Sequence, residues 1–195
     1  MVKKQVKISN LCPTLKYLQH GDELSINQGR GLYESSLTRF HGRYYLTLRS
    51  DDSAHVSVSE DGLHYPTVSP RTFDDGLELG SHNTQQHWLT HSTGLLLVYT
   101  RRGANNDHIP RHRAPLFIAQ IDTDSLCVIR ASERMLIPER GAAMGNFGTA
   151  AINRHESWVT VAESMGSHAR SLGAKGSLLL ARVIWSKPNT HFRGP

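Results

Sequence analysis

From Tyr33 onward, apolar and polar positions alternate in short runs, and each run is closed by a turn signal. ESSLTRF (34–40), RYYLTLRS (43–50) and AHVSVSE (54–60) are separated by His41-Gly42 and by the acidic turn Asp51-Asp52-Ser53. Glu60-Asp61-Gly62 closes the third run. This is the pattern of an antiparallel meander. No window along the chain sustains apolar residues at helical spacing better than it sustains strands, so the pattern predicts an all-β protein. Residues 1–28 carry no clean periodicity and read as an irregular lead-in to a single domain over 29–195.

The meander recurs. Setting Gly42 on Gly94 places GRYYLTLR over GLLLVYTR, each preceded by another candidate strand, and puts Arg49 on Arg101. Setting Glu156 at the same place adds SWVTVAE and puts Glu163 on the same position. A third strand follows each pair: AHVSVSE, then APLFIAQI (114–121), then SLLLARVIW (177–185). A fourth, outer strand is expected near 65–68 and 127–130. Units of roughly 50 residues with four short strands describe the blades of a β-propeller. A sandwich or barrel would use similar strand counts, but recurrence of polar residues at one place favours blades around an axis. Three blades leave sheet edges open. The missing blades of a larger propeller, or a second copy of the chain, are expected to close the ring.

Composition narrows the function classes. The net charge is +5 and the pI near 9.4, yet no basic run is longer than two residues, so a nucleic-acid surface is not expected. A few placed arginines that hold a carboxylate fit the same excess. Cys12 and Cys127 match no metal or disulfide spacing, and no cofactor is expected. The first residues lack the apolar run of a signal peptide and nothing later is long enough to span a membrane, so a soluble, cytoplasmic chain is expected.

The turn SEDGLHY, with Ser59, Asp61, Gly62 and Tyr65, resembles the Asp-box hairpin of sialidase (neuraminidase) propellers. Around it, Glu34 opens a strand, Gly42 makes a turn, and Arg49-Ser50 ends the next strand, in the order found in six-bladed sialidases. Arg113, ahead of APLFIAQID, resembles a further family arginine. Phe147-Gly148 and Ala162-Glu163 stand where the family has a catalytic Tyr-Ser pair and a later Tyr-Glu. The resemblance runs from about Gly29 to Trp185 and covers the later half of a family domain.

This resemblance implies a partial, three-bladed propeller of the six-bladed sialidase-like type, acting on terminal sialic-acid-type sugars. Arg49 and Arg113 are implied as the clamp on the sugar carboxylate, with Arg101 or Arg102 competing for the second place. Glu34 is implied as the base that activates a tyrosine nucleophile, because a phenol with an ordinary pKa near 10 attacks poorly at neutral pH. Phe147 has the ring without the hydroxyl. No residue matches the family's general acid: Asp51, Asp52, Asp74 and Asp75 lie on loops outside its motif. Alternation along a strand sends Tyr33 to the face opposite Glu34. A catalytically silent glycan-binding domain is therefore the alternative to a hydrolase. His82, His87, His91, His108 and His112 read as hydrogen-bonding histidines rather than metal ligands, and the donor-rich loop 101–113 is long enough to line a pocket.

Overall fold

The structure, a computed structural model, describes residues 16–81 and 84–193. Among these, three antiparallel sheets follow one another along the chain. The first contains β1 (Tyr33–Phe40), β2 (Arg43–Arg49), β3 (Ala54–Ser59) and β4 (Ser69–Pro70), side by side in that order. The second contains β5 (His87–His91), β6 (Gly94–Tyr99), β7 (Leu116–Gln120) and β8 (Arg134–Ile137). The third has β9 (Phe147–Asn153), β10 (Glu156–Ala162) and β11 (Leu178–Ile184). Residues 16–28 form neither strand nor helix. No helix among the described residues is long and apolar enough to cross a membrane.

The first strand of each sheet is the innermost, and these strands are stapled to one another. Thr38 and Thr90 share a hydroxyl hydrogen bond of 2.8 Å, and the Trp88 indole donates to the Ser36 carbonyl at 3.0 Å. Between the second and third sheets, Thr149 donates to the Trp88 carbonyl at 3.0 Å and Gln85 to that of Phe147 at 3.2 Å. The three sheets thus stand as successive blades around a line flanked by β1, β5 and β9.

Apolar residues fill the two gaps between blades. Phe40 and Tyr45 from the first sheet meet Trp88, Leu95, Leu97 and Phe117 from the second. Leu89, Val98 and Leu116 meet Phe147, Val159 and Val161 across the second gap. The near-continuous apolar run of β6 follows from this, since Leu95, Leu97 and Tyr99 enter one core while Leu96 and Val98 face the other. Full burial of such a side chain contributes about 1.5–3 kcal/mol. In β11 only Leu179, Ala181 and Val183 pack inward, and Leu178, Leu180 and Ile184 are exposed.

The outer strands depart from expectation. Residues 65–68 do not pair; Ser57 instead caps them by donating its hydroxyl to the Thr67 carbonyl, and the next two residues make β4. Residues 127–130 meet the end of β7 through an isolated Ile121–Val128 bridge, with Ile129 N donating to Gln120 O, and bond on their other side to the connection between the first two sheets, with Val128 N donating to Thr72 O and Asp74 N to Val128 O; the named strand beside β7 is β8, at 134–137. After β11 the chain crosses under the hairpin turns of all three blades. Asn189 N donates to Arg154 O at 2.7 Å, its side-chain amide to Thr90 O at 2.9 Å, and its Oδ1 accepts Ser92 N at 2.9 Å. One end of the assembly is thereby covered, and the strand starts and long loops are left at the other.

Candidate functional site

At that other end Glu34, His87 and Phe147 stand at or next to the starts of β1, β5 and β9, and Arg49 ends β2 beside them. The local backbone explains how Glu34 is aimed. Tyr33 pairs with Arg49 and Ser36 with Thr47, so Glu34 and Ser35 together stand opposite Leu48. This one-residue bulge breaks the alternation of the strand, and Glu34 adopts a left-handed conformation with φ of 48°. Tyr33 and Glu34 consequently meet the same guanidinium. Arg49 Nη2 donates to Glu34 Oε1, and the Arg49 guanidinium lies 4.4 Å from the centre of the Tyr33 ring. The expectation that alternation separates these neighbours is corrected by the bulge. Arg49 is 7% exposed and Glu34 43%, so the carboxylate is the accessible member of the pair.

Tyr33 is held on its other side as well. Its hydroxyl donates to Asp51 Oδ1 at 2.6 Å and accepts Arg30 Nη2 at 2.8 Å. Burial and the Asp51 hydrogen bond push its pKa up, against the pull of Arg49 and Arg30. Those bonds to Arg30 and Tyr33 hold the Asp51 carboxyl well below the usual carboxylate range.

Arg113 comes to the site from the second blade, at the end of the long β6–β7 loop. Its main-chain carbonyl accepts Met144 N at 2.6 Å, and its side chain lies against Gly145 so closely that a Cβ there would fall 2.4 Å from Arg113 Cδ. Burial and the positive charges of Arg111 and Arg49 lower its pKa, while Glu34 and Tyr33 act in the opposite sense. Arg113, Arg49, Glu34 and Tyr33 therefore share one electrostatic neighbourhood. His87 joins it: burial lowers its pKa, with the Glu34 carboxylate opposing, and its ring meets Phe147 edge to face at 5.0 Å. His87 Nε2 is buried and has no hydrogen-bond partner among the described residues. Sequence reasoning set His87 among hydrogen-bonding histidines and did not connect it with Glu34. The available signal was its place at the start of an inner strand.

Arg101 and Glu163 lie elsewhere. All three β-hairpins of the inner strands have two-residue turns, with Phe40 paired to Arg43, His91 to Gly94 and Asn153 to Glu156. Counted from these pairs, the equivalents of Arg49 are Thr100 and Ala162, and Arg101 and Glu163 fall one residue later. One residue reverses the face. Arg101 turns into its own blade, donating to Glu133 at 2.7 and 2.9 Å beside the Tyr99 hydroxyl at 2.5 Å. Glu163 accepts Arg140 Nε and the main-chain N–H groups of Lys175 and Ser177, and so ties down the β10–β11 loop. Arg102 reaches from the rim to the Asp52 carbonyl at 3.3 Å.

The turn at Ser59 lies at the far end of the first blade. The Ser59 hydroxyl donates to Asp61 Oδ1 at 2.9 Å and accepts Gly62 N at 2.8 Å, while Asp61 Oδ1 also accepts the N–H groups of Leu63 and His64. Gly62 has φ of 79°, and Tyr65 is half-buried just beyond. Asp61 is engaged by the backbone it folds. Among the other histidines, His91 donates to the Lys187 carbonyl, and His108 and His112 face Glu139 and Asp107. His82 and Cys12 lie outside the described residues; Cys127 is buried with its Sγ 2.9 Å from Ser125 Oγ. No group of three or more His, Cys, Asp or Glu among the described residues is placed to hold a metal ion.

Fold and site together describe an all-β assembly of propeller-like sheets with the Glu34 carboxylate and the Arg49 guanidinium paired at one end. Solved structures similar to this chain include family-43 glycoside hydrolases. A thermostable family-43 glycoside hydrolase superposes with a TM-score of 0.51 at 13% identity, over 85% of this chain and 57% of that one. A bifunctional GH43-CE protein of Bacteroides eggerthii gives 0.48 at 15% identity, over 80% of this chain and 18% of that one. The chain thus spans less than two thirds of either structure. No family model and no curated protein matches its sequence. At such identities the likeness concerns the fold alone.

Proposed function

We propose that the chain is a sialidase-like propeller domain that binds a terminal acidic sugar by its carboxylate and does not hydrolyse it unaided. The observation that carries this reading is the pairing of the buried Arg49 with the bulged, accessible Glu34 carboxylate, within the electrostatic reach of Arg113 from the second blade. Guanidiniums held by packing on separate elements bind a planar carboxylate with fixed orientation. Phe147 is buried in the core between the second and third sheets and supports this end from beneath, with the His87 ring packed edge to face against it. Blades beyond these three, from a longer protein or a second copy, would complete the wall of the site.

Turnover is disfavoured by the same geometry. Phe147 has no hydroxyl for Glu34 to activate, and the Tyr33 hydroxyl is engaged by Asp51 and Arg30 with its pKa raised, the wrong direction for a nucleophile. The second reading, a hydrolase, is favoured by the exposed Glu34 carboxylate in its left-handed backbone position, since such strain gathers at functional sites. A fluorogenic sialoside separates the two. The purified chain is expected to bind it without releasing the fluorophore; release abolished by Glu34→Gln establishes the hydrolase instead.

A further inference from the structure

The junction of the first and second sheets buries a cation that no carboxylate answers. Arg71, just beyond β4, is 2% exposed and makes no ion pair with an acidic side chain among the described residues. Its Nη1 donates to the Leu126 carbonyl at 3.0 Å, and the guanidinium lies 5.1 Å from the centre of the Trp88 ring. Nε and Nη2 are buried with no hydrogen-bond partner among the described residues. A buried charge left without a counter-ion is among the costliest groups a core can hold. Burial accordingly pushes the Arg71 pKa down to about 9, with Cys127 opposing.

Cys127 follows Leu126 directly, and the main chain there runs beside that of Arg71. Val128 N donates to Thr72 O at 2.9 Å, next to the bond from Arg71 to Leu126. Cys127 is 7% exposed, yet its Sγ lies 2.9 Å from the hydroxyl of Ser125, a residue exposed on the turn that Asp122 N and Cys127 O close. The thiol is thus one contact from solvent and within electrostatic reach of the guanidinium.

We infer that Cys127 is an oxidation site and that Arg71 holds the sulfinate it forms with hydrogen peroxide. In the first step the sulfur bonds to one peroxide oxygen, the O–O bond breaks, and the departing hydroxyl leaves as water with the thiol proton. Sulfur is oxidised by two electrons to a sulfenic acid and the peroxide is reduced. A second peroxide repeats the step and gives the sulfinic acid, which thiols do not reduce. At neutral pH it is an anion with two acceptor oxygens. Nε and Nη2 are adjacent on one edge of the guanidinium, and that edge bonds two oxygens side by side. A thiol offers that edge neither the charge nor the second acceptor.

The full chain is to be treated with hydrogen peroxide and then dithiothreitol, as native protein, Arg71→Met and Cys127→Ser, with peptide mass mapping and thermal melting before and after. The Cys127 peptide of the native protein is expected to gain two oxygens that survive dithiothreitol. Its melting midpoint is expected to rise by about 3–6 °C, the worth of one charge-assisted hydrogen bond in a chain of this size. Arg71→Met exchanges an unpaired buried cation for an apolar side chain, so the reduced variant is expected to melt no lower than the native protein. Its oxidised form is expected to melt below its reduced form, because the sulfinate then lacks its cation. Cys127→Ser is expected to show no rise. An unmodified Cys127, an oxygen gain that dithiothreitol reverses, or a fall in the native midpoint on oxidation overturns the inference. So does an equal rise in either variant. The native protein and Cys127→Ser decide the matter by themselves if Arg71→Met does not fold.

Discussion

Arg49 ends β2, Arg101 lies two residues past the end of β6, the corresponding strand of the neighbouring sheet, and the two have opposite fates. Arg49 shares a face of β2 with Tyr45, which enters the first core, and Thr47, which donates to Gln86. That face looks toward the second blade and the axis. Arg101 shares its face with Tyr99, which looks back at the first blade, and its guanidinium lies 4.8 Å from the Phe117 ring centre while it pairs with Glu133. The glycines at 42 and 94 invite the two arginines to be equated, but Gly42 is the second turn residue and Gly94 the first residue of its strand. A slip of one residue turns a cation paired at the axis, Arg49 with Glu34, into one paired within its own sheet, Arg101 with Glu133.

The largest effect that separates them is on stability. Arg101→Ala leaves Glu133 mostly buried without its cation and is expected to cost about 3 kcal/mol. Chemical denaturation checks this. The pair also sets a pH dependence. Burial alone would raise the Glu133 pKa, but the hydrogen bonds from Arg101 and Tyr99 outweigh it and the net shift is downward. A carboxylate depressed in the folded state stabilises above its ordinary range, near pH 4, and loses that contribution as pH falls through the folded-state value. Acid melting of the native protein is expected to be steeper below about pH 4 than that of Arg101→Ala. Equal slopes would place the guanidinium outside the pair's energetics.

A smaller effect belongs to the ligand side. Gly145→Ala puts a methyl 2.4 Å from Arg113 Cδ, and the flexible side chain gives way more readily than the backbone. Sugar affinity is expected to fall about tenfold, the worth of one charge-assisted hydrogen bond, with the denaturation midpoint nearly unchanged. A loss of stability without loss of affinity would move Arg113 from the site to the scaffold.

Much of the architecture was legible because it depends on period. Alternation in ESSLTRF, RYYLTLR and their counterparts located the inner strands of all three sheets to within a residue or two. Arg49 was legible as a cation at a strand end and Arg113 as one ahead of a strand, while Glu34, expected just before a strand, lies within β1 as part of its bulge. What the sequence hid depends on counts of one. The bulge at Glu34-Ser35, which brings Tyr33 and Glu34 to one guanidinium, has no glycine to mark it. The turns at Ser92-Thr93 and Arg154-His155 lack the glycine that marks His41-Gly42, so the repeat was set one residue out of phase. The outer strands were only partly legible because long-range partners decide them: residues 127–130 bridge to the end of β7 but are also held by the connection at 72–74, and the paired outer strand forms further on. His87 became visible only when three blades brought their strand starts together.

The central claim is that Arg49 and Arg113 recognise a carboxylate. Titration of the chain with N-acetylneuraminic acid and with its methyl ester, for the native protein and for Arg49→Ala, tests it most directly. The account predicts saturable binding of the acid, little or none of the ester, and a loss of at least about 30-fold for the acid on Arg49→Ala. Equal affinity for acid and ester, or acid binding untouched by Arg49→Ala, would contradict it.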